Sequence, residues 1–191
     1  MIEPIKLELN FHPKEIFFPC TDNFQLISEN YKIYYSIDRT YKYKNNIYNS
    51  ISYNIYYLYN GAIGIGYRFF PQSEFLGHHE YDIERIKILL DIETSEPKYV
   101  FLSAHRNEGK WIPWEKCDKN KNGNLKIYVS RVSHANYSKP GTWYRIFFLA
   151  NDKCSKKGKK KIPKLIHSNF NFNPPEFEIN SSFKKRIIMT K

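Results

Sequence analysis

The stretch GHHEYDIERIKILLD, residues 77–91, gathers His78, His79, Glu80, Asp82 and Glu84 before an apolar run. Imidazole and carboxylates this close could chelate a divalent cation, share a proton, or meet a basic side chain. Spacing narrows the geometry. On a helix Asp82 and Glu84 would stand about 200° apart. On a strand, positions i and i+2 share a face, about 6.6 Å apart along the chain. Ile86, Ile88 and Leu90 continue the Glu84 face, while Arg85 and Lys87 alternate with them. The segment therefore reads as a strand, with a short amphipathic helix as the alternative.

Two carboxylates leading into a core-facing side repel one another and are costly to desolvate, so they call for compensation. His79, read as lying just before the strand, could fold back over Asp82. His79, Asp82 and Glu84 then form a candidate metal set, whose oxygen content favours Mg²⁺, Ca²⁺ or Mn²⁺ over zinc. The competing reading leaves His79, Glu80 and Asp82 on a solvated turn, with Glu84 paired to Arg68 or Arg145.

Two further histidines stand beside hydroxyls: His105 after Ser103, and His134 between Ser133 and Tyr137, ahead of Pro140-Gly141. Each reads first as a hydrogen-bonded structural histidine and second as a catalytic acid or base. No Gly-x-Ser-x-Gly elbow is present, which argues against a serine triad.

The frame that must hold these groups is a chain of 191 residues, suited to one domain spanning 1–191. Aromatic residues make up 17%, with 16 Tyr and 14 Phe, a bias towards pleated, half-buried surfaces. The same Ile, Lys, Asn, Tyr and Phe excess fits an AT-rich host or a large DNA virus. Residues 1–30 read as an arm with one or two short strands. Residues 31–44 alternate imperfectly towards an Asn45-Asn46 turn, and Ile51, Tyr53, Ile55 and Tyr57 share one side of the next strand. Residues 61–71 read as a buried strand, KYVFLSAH as a strand ending at His105, and GKWIPWEKC as a turn or 3₁₀ piece. An Asn-Gly turn precedes a strand with Leu125, Ile127 and Val129 on one face. A loop at Pro140-Gly141 and a further strand follow. The basic segment 153–164 reads as a loop, and FKKRIIM near the end as a last strand. The sum is an all-β or β-dominated fold, a β-sandwich with a few short helices and long loops.

Cys20, Cys117 and Cys154 are far apart with no CxxC pair, against a zinc knuckle or disulfide scaffold; a Cys117–Cys154 bridge stays open. No secretory leader and no membrane-length apolar run are evident, so a soluble, cytoplasmic protein is expected, or a virion component if the source is viral. The formal charge of +11 favours anionic partners. Lys156, Lys157, Lys159, Lys160 and Lys161 could meet an anionic membrane, glycan or protein surface, or nucleic acid non-specifically, since no Arg fork or aromatic accompanies them. Trp111, Trp114 and Trp143 read as packing residues, with Trp111 and Trp114 around Pro113 as alternative membrane or glycan contacts.

Taken in order, HEYDIE, VFLSAH and KIYVSRVSHANYSKPGTW resemble the vacuolar protein sorting-associated family of the DUF946 type. The resemblance covers roughly residues 50–152. Its motifs fall on His79, Glu80, Asp82 and Glu84, on Ser103 and His105, and on Ser133, His134, Ala135 and Tyr137. More distantly, FFPQSEFLGHHEYDIE resembles the Nep-like necrosis-inducing cytolysins. That family holds a divalent cation at the rim of a β-sandwich through a His, an Asp and a Glu, which map onto His79, Asp82 and Glu84. Its further upstream Asp falls on Ser73, with Glu74 as the neighbouring stand-in, and Tyr81 takes the place of its second His.

Three functions follow as expectations. The first is a non-catalytic β-sandwich that uses a bound divalent cation, or its charged rim, to recognise an anionic lipid, glycan or protein surface. The second is a structural or packaging component, viral in one version. The third is a metal-dependent hydrolase with His105 or His134 as acid or base. Glu74, Ser103, His105, His134 and Tyr137 are the candidates for the rim around the metal set.

Overall fold

The computed structural model describes residues 2–12, 32–60, 79–104, 109–131, 133–144 and 151–169. The described residues are dominated by strands, in mixed sheets packed together with no closed barrel. The larger sheet contains β2 (Lys32–Tyr43), β3 (Asn46–Asn60), β4 (His79–Leu90), β5 (Pro97–Leu102), β6 (Lys110–Pro113) and β12 (Leu165–His167). Its order is β12-β2-β3-β4-β5-β6, antiparallel except where β12 runs parallel to β2. The second sheet sets β1 (Leu7–Asn10) between β11 (Lys160–Lys161) and β7 (Leu125–Val129), with β8 (Asn136–Tyr137) beyond β7. A two-stranded ribbon joins β9 (Gly141–Trp143) to β10 (Asp152–Cys154).

Alternation explains the core. Ile51, Tyr53, Ile55 and Tyr57 of β3 and Ile86, Ile88 and Leu90 of β4 are all buried on the inner face of the larger sheet. They meet Leu7, Leu9, Leu125, Ile127 and Val129 from the second sheet. The shared faces in β3, β4 and β7 are those the sequence pattern implied. The N-terminal arm is in part an interior strand: β1 pairs parallel with β7 and antiparallel with β11. Tyr53 ties the arm down through its hydroxyl, which donates to the Ile5 carbonyl at 2.9 Å.

The imperfect alternation of 31–44 has a physical cause. Asp38 pairs with Ser50 but Tyr41 pairs with Tyr48, so β2 carries one extra residue, a bulge. Before it, Ser36 and Asp38 face outward with Ser50 and Ser52; after it, Tyr41 and Tyr43 do. The hairpin turn falls on Lys44-Asn45, one position before the expected one, and both residues have positive φ (48° and 65°). A two-residue hairpin of this hand requires that conformation.

The outer face of the larger sheet carries a second cluster, in which Tyr41, Tyr43, Tyr48 and Leu89 pack with Tyr99 and Trp111. Trp111 therefore packs, with Tyr43 4.7 Å away between ring centroids, and Trp114 sits against the inner core. GKWIPWEKC is a strand, β6, followed by a 3₁₀ turn at Trp114–Lys116. β5 ends at Leu102 rather than at His105, and Ser103 and Ala104 follow it without strand pairing. Cys117 and Cys154 are both buried and both free, so the bridge left open by the sequence is not formed. Among the described residues no helix is long and apolar enough to cross a membrane. The expected strands at 61–71 and FKKRIIM, the Arg68 and Arg145 alternatives, Glu74 and His105 lie outside the described residues.

Candidate functional site

β4 delivers the site. Asp82 and Glu84 sit on its inner face and are buried, while Ile83 between them is 40% exposed. The register puts Asp82 opposite Tyr57 and Glu84 opposite Ile55. The expected pairing of two carboxylates on one side of an extended segment is thus present. His79 is the first residue of β4, paired with Asn60, rather than a residue ahead of the strand. Its side chain lies outside the described residues.

The histidine brought to Asp82 is His134. It lies in the tight connection between β7 and β8 with φ of 56°, a left-handed conformation uncommon outside glycine. Its ring stacks on Tyr57 with centroids 4.1 Å apart and planes within 8°. Nδ1 lies 3.6 Å from Asp82 Oδ2.

Glu84 is held by Ser103, whose hydroxyl donates to Glu84 Oε2 and accepts the Arg85 backbone N–H at 2.6 Å. Burial drives the Glu84 carboxyl well above the usual carboxylate range, and the charge of Asp82 pushes it further; the Ser103 hydroxyl works against both. Asp152 adds to the same repulsion.

Asp152 is the group the sequence reading missed. It starts β10, is buried, and pairs with Trp143 of β9. Ser130 and Ser133 donate to its Oδ1 at 2.9 and 2.7 Å, and Tyr137 donates to Oδ2 at 2.6 Å. The available signal was a lone acid ending the apolar run FFLAN. These bonds and the backbone clamp the His134 turn. Ala135 accepts from the Ser130 N–H at 2.9 Å, Ser103 accepts from the Asn136 N–H at 2.9 Å, and Lys153 accepts from the Arg131 N–H at 3.0 Å. Of the predicted rim, Ser103 touches Glu84 and His134 faces Asp82, while Tyr137 serves Asp152 and stacks on Trp143 at 4.5 Å.

The local chemistry is an excess of buried acid. Asp82 and Asp152 both act electrostatically on Glu84, and His134 lies beside Asp82. Among the described residues no three His, Cys, Asp or Glu side chains form a group close enough to chelate an ion. Asp82 and Glu84 supply oxygens of the hard type that divalent cations prefer.

Past β10 the chain becomes the basic segment. Lys156, Lys157, Lys159 and Lys160 are exposed and Lys161 is half-buried. It is not wholly a loop, because Lys160 and Lys161 form β11 against β1. Gly158 makes this docking feasible: a Cβ there would lie 1.4 Å from the Phe11 carbonyl oxygen. The Phe11 N–H donates to Lys159 O at 2.9 Å.

The sequence matches no protein-family model and no curated protein. Among solved structures, the chain is similar to necrosis and ethylene inducing protein 2 from the causal agent of cocoa's witches' broom disease. That match has a TM-score of 0.46 and 14% identity, and covers 85% of this chain and 70% of the other. It is also similar to a structure described as a toxin fold for microbial attack and plant defence, with TM-score 0.48, 13% identity, and 96% and 85% coverage. A third is NLPPya in complex with glucosamine, with TM-score 0.45, 15% identity, and again 96% and 85% coverage. These neighbours are Nep-like necrosis-inducing proteins, the more distant of the two sequence resemblances, and the sorting-associated likeness rests on its sequence motifs alone.

Proposed function

We propose that this chain is a non-catalytic β-sandwich that binds a divalent cation at Asp82 and Glu84 and recognises an anionic or sugar-bearing surface there. The observation that supports the reading is the buried, mutually repelling acid group, in which Glu84 is driven to keep a proton. Mg²⁺, Ca²⁺ or Mn²⁺ would supply the positive charge that lets Glu84 ionise beside Asp82. His79 is the third ligand of the proposal, and His134 lies against Asp82 from the other sheet. Lys156, Lys157, Lys159 and Lys160 follow closely on Asp152 along the chain and would add long-range attraction to anions.

The test is elemental analysis of the purified protein, with thermal unfolding in EDTA and in added Mg²⁺, Ca²⁺ or Mn²⁺. At a hundred times its dissociation constant a cation adds about 2.7 kcal/mol, which is about 5–10 °C for a domain of this size. Asp82→Asn should abolish that increment. Binding to anionic vesicles and to a glycan panel containing glucosamine and mannosamine should need the cation. A melting temperature and surface binding indifferent to EDTA and to Asp82→Asn would overturn the proposal. The exposed lysines favour one second reading, a packaging role on nucleic acid; salt-sensitive DNA retention without divalent dependence would select it.

A further inference from the structure

Asn136 is carried to the acid group, and neither the fold nor the proposed function has used its side chain. It is the first residue of β8 and is 2% exposed. The oxygen and the nitrogen of its carboxamide are both buried, and neither has a hydrogen-bond partner. A buried amide in that state has lost its contacts with water and gained none in return. Native folds avoid this unless a further group completes the site.

Register says where the amide points. Asn136 pairs with Val129 in the antiparallel β7–β8 ladder, and directly paired residues project from the same side of a sheet. Val129 belongs to the inner core, so the Asn136 side chain enters the space between the two sheets. Its backbone N–H donates to Ser103 O at 2.9 Å, and the hydroxyl of the same Ser103 donates to Glu84 Oε2. Two residues earlier in the chain, His134 faces Asp82. The amide is thus brought to the inner side of β4, the side that Asp82 and Glu84 share with Ile86 and Ile88.

We infer that Asn136 is a neutral oxygen ligand of the cation and that it makes the site one for Ca²⁺ in preference to Mg²⁺. This rests on the proposal that Asp82 and Glu84 hold an ion. Amide oxygens are regular members of Ca²⁺ shells, which take about 6–8 oxygens at roughly 2.3–2.6 Å. A monatomic ion at such distances calls for converging side chains rather than a chamber. Mg²⁺ keeps several waters and demands near-octahedral order at about 2.0–2.1 Å. The surroundings leave little access for those waters: Asp82 is 9% exposed and Glu84 4%. With Oδ1 on the ion, the amide NH₂ can donate to another oxygen of the same shell, so one occupant answers both unpaired atoms. A water alone would answer the amide but would add no positive charge to the acid group.

The test uses the full chain at pH 7, stripped with EDTA and dialysed. CaCl₂ or MgCl₂ is titrated into it and followed by calorimetry and thermal unfolding. Wild-type protein should bind Ca²⁺ at least about tenfold more tightly than Mg²⁺, which prefers a more hydrated site. Asn136→Leu keeps the bulk of the side chain and removes the amide oxygen. It should weaken Ca²⁺ by about 10–100-fold, the range lost when even an outer partner of a bound metal is removed, and should affect Mg²⁺ less. Without ion the same variant should melt at or above the wild-type temperature, because two unpaired polar atoms are gone. Should Asn136→Leu fail to fold, Asn136→Asp decides: the added carboxylate should lower the melting temperature in EDTA and enlarge the Ca²⁺ shift. Ca²⁺ affinity equal in wild type and variant, or no preference over Mg²⁺, would overturn this inference while leaving the Asp82–Glu84 site intact. No saturable shift with either ion in the wild type would overturn both and leave the amide to a water.

Discussion

His134 lies flat against Tyr57 and faces Asp82, with its ring 4.1 Å from the tyrosine and its Nδ1 3.6 Å from the carboxylate. One contact fixes the plane of the imidazole and the other its direction. Tyr57 comes from β3 and Asp82 from the residue paired with it on β4, so two adjacent strands hold one side chain from the opposite sheet. Tyr57→Leu should lower stability by about 2–4 kcal/mol through lost volume and stacking. It should weaken the Asp82–His134 coupling measured in a double-mutant cycle. Urea unfolding of the Asp82/His134 cycle, run once in the wild-type and once in the Tyr57→Leu background, measures both quantities.

Glu84 predicts a pH dependence with a defined sign. Its folded carboxyl is raised above the unfolded one, so the native chain holds a proton that the unfolded chain releases. The associated stability is complete below the ordinary carboxylate range and is lost as pH rises towards the raised folded value. In EDTA the melting temperature should therefore fall as pH rises above the ordinary carboxylate range, and Glu84→Gln should flatten that fall. A divalent cation should also flatten it. Differential scanning fluorimetry across pH, with and without Ca²⁺, measures this.

Asp152 accepts three hydroxyl bonds around the turn that carries His134. Asp152→Ala should cost about 3 kcal/mol or more, because three donors lose a charged acceptor together. Asp152→Asn should cost less and still disturb His134. The expected signature is a changed His134 imidazole resonance in NMR at a temperature where the variant remains folded.

The thiols of Cys117 and Cys154 should resist alkylation in the native protein. Burial pushes Cys117 up to about 11, and Cys154 rises further for the same reason, with Asp152 adding to it. Thiolate is the reactive form. Peptide mapping after brief iodoacetamide treatment at pH 8 should find both unmodified, and both modified in urea.

Gly158→Ala should release the lysine segment, since the new methyl group would overlap the Phe11 carbonyl. The expected result is faster hydrogen exchange at Phe11 and across Lys160–Lys161, with the larger sheet unchanged.

The strands most legible in the sequence were those with two different faces. β3, β4 and β7 alternate cleanly because one side meets the core, and Asp82 and Glu84 announced themselves by interrupting that pattern. β2 was obscured by its bulge, which inverts the alternation after Asp38. β6 was hidden by Pro113, which ends the strand and leads into the 3₁₀ turn. His134 was singled out by its hydroxyl neighbours, but nothing local tied it to Asp82, since that approach depends on two sheets packing. Asp152 was missed for the same reason: three of its partners lie 15 to 22 residues away.

The placement of β1 bears on how this protein is made. Leu7–Asn10 is translated well before both of its neighbours in the sheet, Leu125–Tyr128 and Lys160–Lys161. This strand must stay uncommitted until both of its distant partners have been translated. Closure of the smaller sheet is then a late event, and non-local pairing of this kind slows folding. A chain truncated before residue 125 would expose the Leu7–Phe11 stripe with nothing to dock on, a ready target for chaperones.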